Sequence, residues 1–385
     1  MDMEKRPGLR KSLAQDKIRK FTMLIALVAI WLIFTSLTHG IFLTPRNLSN
    51  LFLQTATVAI IAIGMTLVIV TRNIDLSVGS VAALAGAIGA FLQVNMNWPA
   101  EAAILAACGA GLLIGLWHGF WIAYRYVPSF IVTLASMMIF RGAVLGITKG
   151  ATIAPLSDHF KAIGQNYLSP HISLMVGIVT IAAYVLFDLH KRMQRKKYGF
   201  SVASLPAELA KVAVISAAIG AFFWVMIHNR GIPYAVLLVM VLALGFSFIA
   251  QNTVFGRQLY AIGGNPDAAA LSGVNIKKKV MALYAIFGVL TAIAGLVLTA
   301  RLNAATTSAG QGMELDVIAA AVIGGTSLMG GEGTVFGALI GALIMASLDN
   351  GMSLMDTNIT FQYIIKGMIL LLAVWVDIAT RRKSQ

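Results

Sequence analysis

The sequence predicts an all-α, polytopic membrane protein, built as a transmembrane helical bundle of about ten to twelve spans. Of its 385 residues, 58% are hydrophobic and only 11% are charged, whereas soluble domains have ~45–50% apolar and ~25% charged residues. Too few charged side chains are present to cover the surface of a soluble fold, and the same composition excludes a disordered chain. Because a spanning helix uses ~20 residues, this length accommodates roughly ten to twelve of them.

Apolar segments alternate with short polar connections along the chain. Glycine interrupts several of them, and a glycine-rich turn separates the last two before the C-terminal one. The region 314–349 is therefore either two full spans or a re-entrant hairpin. The predicted segments lie at about 21–38, 49–71, 76–94, 100–124, 129–147, 171–190, 208–228, 232–251, 280–300, 314–329, 334–349 and 358–378.

Basic residues indicate the orientation. The 29 Lys and Arg against 15 Asp and Glu give a net charge of +14. When the segments are threaded from a cytoplasmic N-terminus, 22 of the 29 fall on the cytoplasmic side, five on the other side, and Arg141 and Lys366 within apolar segments. Cytoplasmic loops are enriched in Lys and Arg, so we expect both termini to face the cytoplasm. No basic stripe with interleaved aromatics supports a nucleic-acid partner.

This orientation defines the domain organisation. A basic tail over 1–20 precedes a single transmembrane domain over 21–380, and a short cytoplasmic tail follows over 381–385. The longest connection rich in polar residues, over 253–279, lies on the cytoplasmic side. The lone Cys108 cannot form an internal disulfide bond.

Small residues recur at intervals of four, which lets helices approach closely in lipid. We expect three faces to pack helices in this way. A faint echo between the stretches 79–90 and 333–346 is compatible with duplicated halves. The three faces are Gly111, Gly115 and Gly119; Gly333, Gly337 and Gly341; and Gly79, Ala83 and Ala87.

Motifs for catalysis or nucleotide binding are missing from the sequence. No Gly-Lys dipeptide occurs, hence no Walker A loop, and there is no HExxH motif and no Cys/His cluster with metal spacing. We read the run from Gly324 to Gly333 as a turn between helices. His118, flanked by Trp117 and Trp121, is predicted to be an interfacial anchor. These observations favour a transport subunit that is no enzyme and binds no metal or cofactor of its own.

Acidic residues within the apolar segments are informative because an Asp at the bilayer centre costs ~2.5–3.5 kcal/mol. Each has two interpretations: a group near a helix end that satisfies exposed N–H groups, or a polar group that lines an aqueous pathway. The sequence does not rank them. The candidates for a translocation pathway are Gln54, Asn73, Asp75, Ser77, Glu314, Asp316, Asp349 and Asn350.

A short helix is predicted inside the loop 253–279. Asn265 suits an N-cap, Pro266 the first helical position and Asp267 the positive end of the helix dipole, while Gly273 suits the stop. Two turns are too short to be stable alone in water. The helix must therefore dock, either at the membrane interface or on a cytoplasmic partner.

The sequence resembles the permease subunits of bacterial ABC importers for monosaccharides, the ribose, xylose and galactose group, and its xylose permeases in particular. The similarity extends from about residue 48 to 380. The segment from about 157 to 232 lengthens the chain relative to ribose-type permeases, as in the xylose type. The resemblance rests on the stretches 73–80, 127–134, 257–273, 314–333 and 346–352.

The resemblance implies a bacterial inner-membrane importer in which two permease copies enclose the pathway for a monosaccharide, with D-xylose favoured over ribose or galactose. A periplasmic sugar-binding protein would deliver the substrate. A cytoplasmic ATPase with tandem nucleotide-binding domains would use ATP and drive alternating access. The short helix would match the coupling helix that inserts into this ATPase. Its coupling residues would be Gly256, Arg257, Tyr260, Gly263, Gly264, Asn265, Pro266, Asp267, Ala268, Ser272 and Gly273.

Two other classes of protein fit the sequence less well. An ion-coupled secondary transporter should carry paired ionisable residues deep in its spans. Only Asp75 and the pair Glu314 and Asp316 are available for this role, and positions near helix ends account for them. A membrane-embedded enzyme needs converging acid, base or metal groups, and the sequence contains no such cluster.

Overall fold

A computed structural model describes residues 7–200, 202 and 204–382 of the chain. Residues 1–6 of the predicted N-terminal tail and 383–385 of the C-terminal tail lie outside this part. The described residues form fifteen α-helices, with a 3-10 turn at Ile41–Leu43 and a π-helical turn at Phe120–Tyr124. The helices are α1 Pro7–Leu37, α2 Pro45–Val70, α3 Val78–Val94, α4 Ala100–Gly119, α5 Ser129–Thr148, α6 Asp158–Gln165, α7 Pro170–Lys197, α8 Leu205–Ile227, α9 Tyr234–Asn252, α10 Val254–Gly264, α11 Pro266–Leu271, α12 Ile276–Leu302, α13 Met313–Ile323, α14 Val335–Leu354 and α15 Ile359–Arg382.

Eight of the described helices are long and apolar enough to cross a membrane: α2, α4 with its π-helical turn, α5, α7, α8, α9, α12 and α14. Shorter apolar helices follow at 22–37, 78–94 and 359–375. The predicted polytopic helical bundle is therefore confirmed. The predicted segment 314–329 needs correction because α13 has only 11 residues, about 16 Å at 1.5 Å per residue, which is too short to cross a bilayer.

Helices α2 and α12 form the centre of the bundle. Gly64 of α2 lies against Phe287 and Leu290 of α12, whereas Val58 and Leu298 line one cavity, so the two helices run antiparallel. Helices α3 and α4 pack on α12, and α13 and α14 pack correspondingly on α2. Helix α5 packs on α3, and α15 packs on α13. The four helices α2–α5 and the four helices α12–α15 thus form two inverted halves.

The faint sequence echo did not identify these halves correctly. It matched residues of α3 with residues of α14. The packing instead makes α3 the counterpart of α13, and α4 the counterpart of α14, in the two halves. The prediction that small residues pack helices is confirmed. A Cβ on Gly111 would meet Gly288, one on Gly115 would meet Tyr284, and one on Gly341 would meet Ala320.

Each half contains a short helix that follows a non-helical stretch, 71–77 before α3 and 303–312 before α13. The beginnings of these two helices meet where the backbones of Gly79 and Gly310 touch. Gly310 has φ +67°, in the left-handed region where glycine is favoured. Both helices therefore start inside the bundle, and their N-terminal ends lie side by side.

Candidate translocation pathway and coupling surface

A polar cavity of about 200 Å³ lies between α2, α12, α13 and α14. It brings together three of the residues that the sequence marked as pathway candidates, Gln54, Asp316 and Asp349, from three helices. The cavity contains both hydrogen-bond donors and acceptors. Its lining consists of Gln54, Thr57, Val58, Leu298, Arg301, Met313, Asp316, Met345, Ala346 and Asp349.

Two carboxylates at this cavity share one lysine from α15. The Lys366 ammonium lies 3.1 Å from Asp316 Oδ2 and 2.8 Å from Asp349 Oδ1. Proximity to a helix end explains Asp316 in the first turn of α13, but it does not explain Asp349 and Lys366, which lie inside their helices. The helix-end interpretation fits Asp316, whereas Asp349, for which the sequence left both interpretations open, lies within α14. Ionisable groups inside a membrane bundle mark functional sites by default.

A wider groove of about 510 Å³ opens at the beginning of α2. Arg230 lies over the Tyr167 ring, with its guanidinium carbon 5.8 Å from the ring centroid. Polar and basic groups therefore surround an opening at this end of the bundle. The groove is lined by Ile41, Thr44, Arg46, Asn47, Asn50, Tyr167, Asn229, Arg230 and Leu354.

One face of α2 joins the groove to the cavity. Arg46, Asn50 and Gln54 are four residues apart and Thr57 is three further on, so they lie along one side of the helix. Arg46 and Asn50 line the groove, and Gln54 and Thr57 line the cavity. This row of side chains is called here the α2 polar face; Arg46 and Asn50 are exposed, Gln54 is half-buried and Thr57 is buried.

Asn350, another pathway candidate, forms a buried pair beside the groove. Its Oδ1 accepts a hydrogen bond from Asn47 Nδ2 at 2.8 Å, and its Nδ2 donates to Asn47 Oδ1 at 3.1 Å. Asn47 Nδ2 also donates to the Phe42 carbonyl oxygen at 2.9 Å. The pair joins α2 to α14 at the outer end of the α2 polar face.

Asp75 and Ser77 lie in the non-helical stretch before α3, away from this cavity. The Asp75 carboxylate accepts from the Ser77 backbone N–H at 2.8 Å and from the Ser77 hydroxyl at 2.6 Å. It also faces His118 Nδ1 at 3.5 Å, with both side chains buried. The prediction of His118 as an interfacial anchor is wrong, because its ring faces a buried carboxylate.

The last two pathway candidates lie near the beginnings of the two short helices, Asn73 in the stretch before α3 and Glu314 in the first turn of α13. Asn73 Nδ2 donates to the Thr71 carbonyl oxygen and hydroxyl at 3.1 and 3.0 Å, which stabilises the turn after α2. Glu314 packs beside Gly79, where an added Cβ would lie 2.7 Å from its Oε2. The structure therefore brings Gln54, Asp316 and Asp349 together, while Asn73, Asp75, Ser77, Glu314 and Asn350 lie elsewhere.

The short helix in the loop 253–279 forms as the sequence predicts. Asn265 caps α11 by accepting from the Ala268 backbone N–H at 3.0 Å, and Pro266 occupies the first position. Gly273 follows the helix with φ +82° and donates to the Ala270 carbonyl oxygen at 2.9 Å. Ala269 is buried and Pro266 is partly buried, whereas the other side chains of α11 are exposed.

Helix α10 is fastened to the bundle at its C-terminal end. The Arg72 guanidinium donates to the carbonyl oxygens of Gly263 at 2.6 Å and Gly264 at 2.8 Å. The Tyr260 hydroxyl donates to the Gly333 carbonyl oxygen at 2.8 Å, and burial raises the pKa of this phenol. Gly263 is packed so closely that a Cβ would overlap the Val70 carbonyl oxygen.

The glycine-rich run from Gly324 to Gly333 is a turn between α13 and α14, as predicted. The Gly331 N–H donates to the Val70 carbonyl oxygen at 2.9 Å. Through Arg72 and this turn, the α10–α11 unit contacts the segments next to both short helices, α3 and α13. Of the predicted coupling residues, Gly256 and Gly263 are buried, and Tyr260 and Pro266 are partly buried. The others are exposed: Arg257, Gly264, Asn265, Asp267, Ala268, Ser272 and Gly273.

Comparison with known proteins identifies the family. A family described as a branched-chain amino acid transport system permease component matches residues 47–374. The chain belongs to this permease family. It is thus a membrane subunit of a transport system and not an enzyme. No solved structure matches the chain.

Three relatives show which transport systems these permeases resemble. The xylose transport system permease protein of Escherichia coli (strain K12) is 48% identical over 95% of this chain and 93% of that protein. The protein of the same description from Haemophilus influenzae is 46% identical over 95% of this chain and 98% of its own length. The ribose import permease protein of Escherichia coli (strain K12) is 36% identical over 92% of each chain.

Several groups of the site were missed from sequence. Lys366 was noted only as a basic residue within an apolar segment, although that position was itself the signal. Arg301, Arg46 and Asn50 carried no motif, since their common placement depends on α2 facing α12 and α14. The four-residue spacing of Arg46, Asn50 and Gln54 is visible in the sequence and could have indicated the α2 polar face.

Proposed function

We propose that this chain forms the membrane pathway of an ATP-driven bacterial importer for a monosaccharide, with D-xylose as the substrate. The observation that carries the proposal is the α2 polar face, which joins an open groove to a polar cavity. The curated relatives, two named for xylose and one for ribose, support the choice of a pentose over other solutes.

The chemistry of the cavity suits an uncharged polyol. Sugar hydroxyls both donate and accept hydrogen bonds. Carboxylates such as Asp349 accept them, the Arg301 guanidinium donates them, and the Gln54 amide does both. The sugar would exchange these contacts along the α2 polar face. These hydrogen bonds replace those that the sugar makes with water, and the sugar carries no net charge that the cavity must neutralise. They are therefore compatible with fast release of the sugar.

The charge pattern supports an orientation with both termini in the cytoplasm and the groove toward the periplasm. Basic residues dominate the end of the bundle that holds α10 and α11. On this assignment, the groove with Arg46 and Arg230 would receive sugar from a periplasmic binding protein. The α10–α11 unit would face the cytoplasm of a bacterial cell, beneath its inner membrane.

Coupling to an ATPase is proposed at α11. The helix is too short to be stable alone, and Leu271 at its end is 91% exposed, an exposed apolar group suited to insertion into a partner. The partner would be an ATPase with tandem nucleotide-binding domains, which uses the ATP. A second copy of this chain would complete the pathway.

The contacts of α10 suggest how movement reaches the pathway. A shift of α11 would displace Gly263 and Gly264, which the Arg72 side chain joins to the stretch before α3. The same shift would act through Tyr260 on the turn between α13 and α14. ATP binding would in this way bias an equilibrium between outward-open and inward-open states.

Two alternatives stay open to test. Another monosaccharide, such as ribose or galactose, would use the same cavity. An ion-coupled secondary transporter needs paired ionisable groups within the bundle, and Lys366 with Asp316 and Asp349 meets that requirement. The exposed α11 and the relatives favour a subunit driven by a separate ATPase.

The decisive experiment is uptake into proteoliposomes that contain this chain, its ATPase and its binding protein. We expect D-xylose accumulation that requires ATP on the ATPase side, with unlabelled xylose competing better than ribose or galactose. Stronger competition by ribose would reassign the sugar. Proton-driven xylose uptake by the chain alone would overturn the ATP-driven proposal.

A further inference from the structure

Helices α7 and α8 form a hairpin at the periphery of the bundle. Helix α7 packs chiefly on α8, and α8 makes only limited contact with α2. The end near the groove is anchored where Gly177 lies against Phe223, within an apolar cluster that includes Met226. The opposite end, with the connection between the two helices, projects away from the anchored end.

The projecting end carries a dense set of basic side chains. Five of the seven residues from Lys191 to Lys197 are Lys or Arg. Arg192 pairs with Glu208, and nearby Lys211 lies 2.5 Å from Asp188. These two pairs hold the helices together. The other four basic residues are exposed and form no salt bridge within the described part of the chain: Lys191, Arg195, Lys196 and Lys197.

Three other basic residues at the same end of the bundle lie over aromatic rings. Lys277 lies over Tyr126 at 5.0 Å, Lys279 over Phe255 at 5.5 Å and Arg125 over Phe120 at 5.2 Å. The four exposed residues of the hairpin have no such ring contact among the described side chains. Their charge is available to an external anion.

The position of these cations along the helix sets their depth. The 21 residues of α7 from Pro170 to His190 rise about 31 Å at 1.5 Å per residue, which matches a hydrocarbon core of ~30 Å. The cations therefore begin where the headgroups begin. Tyr198 and Phe200 follow directly and are 68% and 63% exposed, and aromatic rings are typical of that level.

We propose that the basic tip of the α7–α8 hairpin binds the headgroups of anionic phospholipids. Basic side chains near a membrane surface attract anionic lipids, and four of them lie within seven residues here. The proposal does not depend on which solute is carried. The depth of these cations and the exposed rings of Tyr198 and Phe200 beside them favour a lipid surface over a protein partner.

Lipid selectivity of the full chain tests this proposal. The chain would be reconstituted in phosphatidylcholine vesicles containing traces of spin-labelled phosphatidylglycerol or spin-labelled phosphatidylcholine. We expect a motionally restricted fraction about threefold larger for the anionic lipid. In the variant K191Q/R195Q/K196Q/K197Q, the two fractions should become nearly equal.

A charge-preserving variant, K191R/R195K/K196R/K197R, is the matched control and should keep the selectivity. Raising the salt concentration should reduce it in both the unchanged chain and this control. Competition by soluble glycerol phosphate as strong as that by phosphatidylglycerol would show a free-phosphate site and contradict lipid binding. Unchanged selectivity in the glutamine variant would overturn the proposal. Loss of the lipid selectivity of the unchanged chain when the ATPase is added would also overturn it, because this result would identify a protein-binding surface.

Discussion

The Arg72 guanidinium holds the carbonyl oxygens of Gly263 and Gly264 at 2.6 and 2.8 Å. Arg72 itself has φ +63° and follows Thr71, the C-cap residue of α2. One side chain thus joins the unit proposed to meet the ATPase to the stretch that leads into α3. The bond is a fork of two donors on neighbouring acceptors, which a lysine cannot reproduce.

Arg72→Lys is expected to uncouple transport. Charge is kept but one of the two hydrogen bonds to α10 is lost, so ATP hydrolysis should continue while sugar uptake per ATP falls about tenfold, the effect of ~1.4 kcal/mol. Uptake and hydrolysis would be measured together in proteoliposomes. Arg125→Lys, an arginine on the same side of the bundle that rests on Phe120, is the control. If the ratio of sugar uptake to ATP hydrolysis were the same in Arg72→Lys and Arg125→Lys, the contact between Arg72 and α10 would not be needed for coupling.

Gly263 and Gly264 allow a matched test of close packing. A Cβ on Gly263 would overlap the Val70 carbonyl oxygen, whereas one on Gly264 would meet nothing within 4 Å. We expect Gly263→Ala to lower the free energy of unfolding by roughly 1–3 kcal/mol or to detach α10, and Gly264→Ala to change it by less than about 0.5 kcal/mol. Thermal unfolding in detergent would compare them. Similar losses in both variants would contradict the packing argument.

Variants of α11 test the coupling proposal. Leu271→Glu places a charge on a side chain that is 91% exposed, so folding and membrane insertion should be unaffected while binding of the ATPase is weakened at least tenfold. Gly273→Pro removes the N–H that bonds the Ala270 carbonyl oxygen and forbids φ +82°. Asp267→Lys reverses the charge in the first turn.

In Gly273→Pro and Asp267→Lys, ATP hydrolysis should continue while sugar uptake falls. Co-purification with the ATPase and sugar-stimulated hydrolysis are the readouts. Ala269→Gly serves as a contrast, because it affects the buried side of α11 and should lower the stability of the loop. Unaltered uptake and ATPase binding in the Leu271, Gly273 and Asp267 variants would exclude α11 as the coupling element.

Lys366→Met leaves Asp316 and Asp349 without their shared cation. Removing one partner of a buried ion pair is costly, and at these partly buried positions we expect a loss of about 2–3 kcal/mol in unfolding free energy. The triple variant K366M/D316N/D349N should recover most of that stability. Its sugar uptake should nevertheless stay low if the charged groups serve the pathway. Full uptake by the triple variant would restrict these residues to a structural role.

The α2 polar face is tested by Gln54→Leu. Since Gln54 lines the cavity, loss of its hydrogen bonds to sugar should reduce uptake about three- to tenfold at low substrate. Ser49→Ala on the same helix is the control, because the buried Ser49 hydroxyl has no hydrogen-bond partner among the residues that the structure describes. Uptake kinetics at several xylose concentrations would distinguish a binding loss from an assembly defect. A Gln54 variant with the kinetics of the Ser49 variant would remove α2 from the pathway.

Local sequence signals predicted some parts of this structure closely. The cap, proline, acidic residue and glycine from Asn265 to Gly273 specify α11 by short-range geometry alone. The long spans follow from apolar content. In contrast, α13 is short because glycines bound it at both ends. Gly310 and Gly312, with positive φ, precede it, and Gly324 follows it. A hydropathy pattern cannot show where such breaks occur inside a bilayer.

Partnerships between distant residues were beyond sequence reasoning. Asp316, Asp349 and Lys366 lie on three helices, and nothing in their spacing shows that they meet. The same holds for Asp75 and His118, whose contact requires α4 to lie beside the non-helical stretch 71–77. The positions of Asp316, Asp349 and Lys366 within apolar segments are visible in the sequence, but only the fold shows which charge faces which.

The contact between Gly79 and Gly310 has a mechanical consequence. The backbone of Gly79 in α3 touches the backbone of Gly310 in the stretch before α13, with the Glu314 side chain beside them, so neither of the two touching residues has a side chain of its own. Sliding or rotation of one glycine past the other therefore displaces no side chain of either residue. This contact is thus suited to small movements of α3 against the stretch before α13. A side chain added to either glycine would overlap the backbone of the other and block such movements.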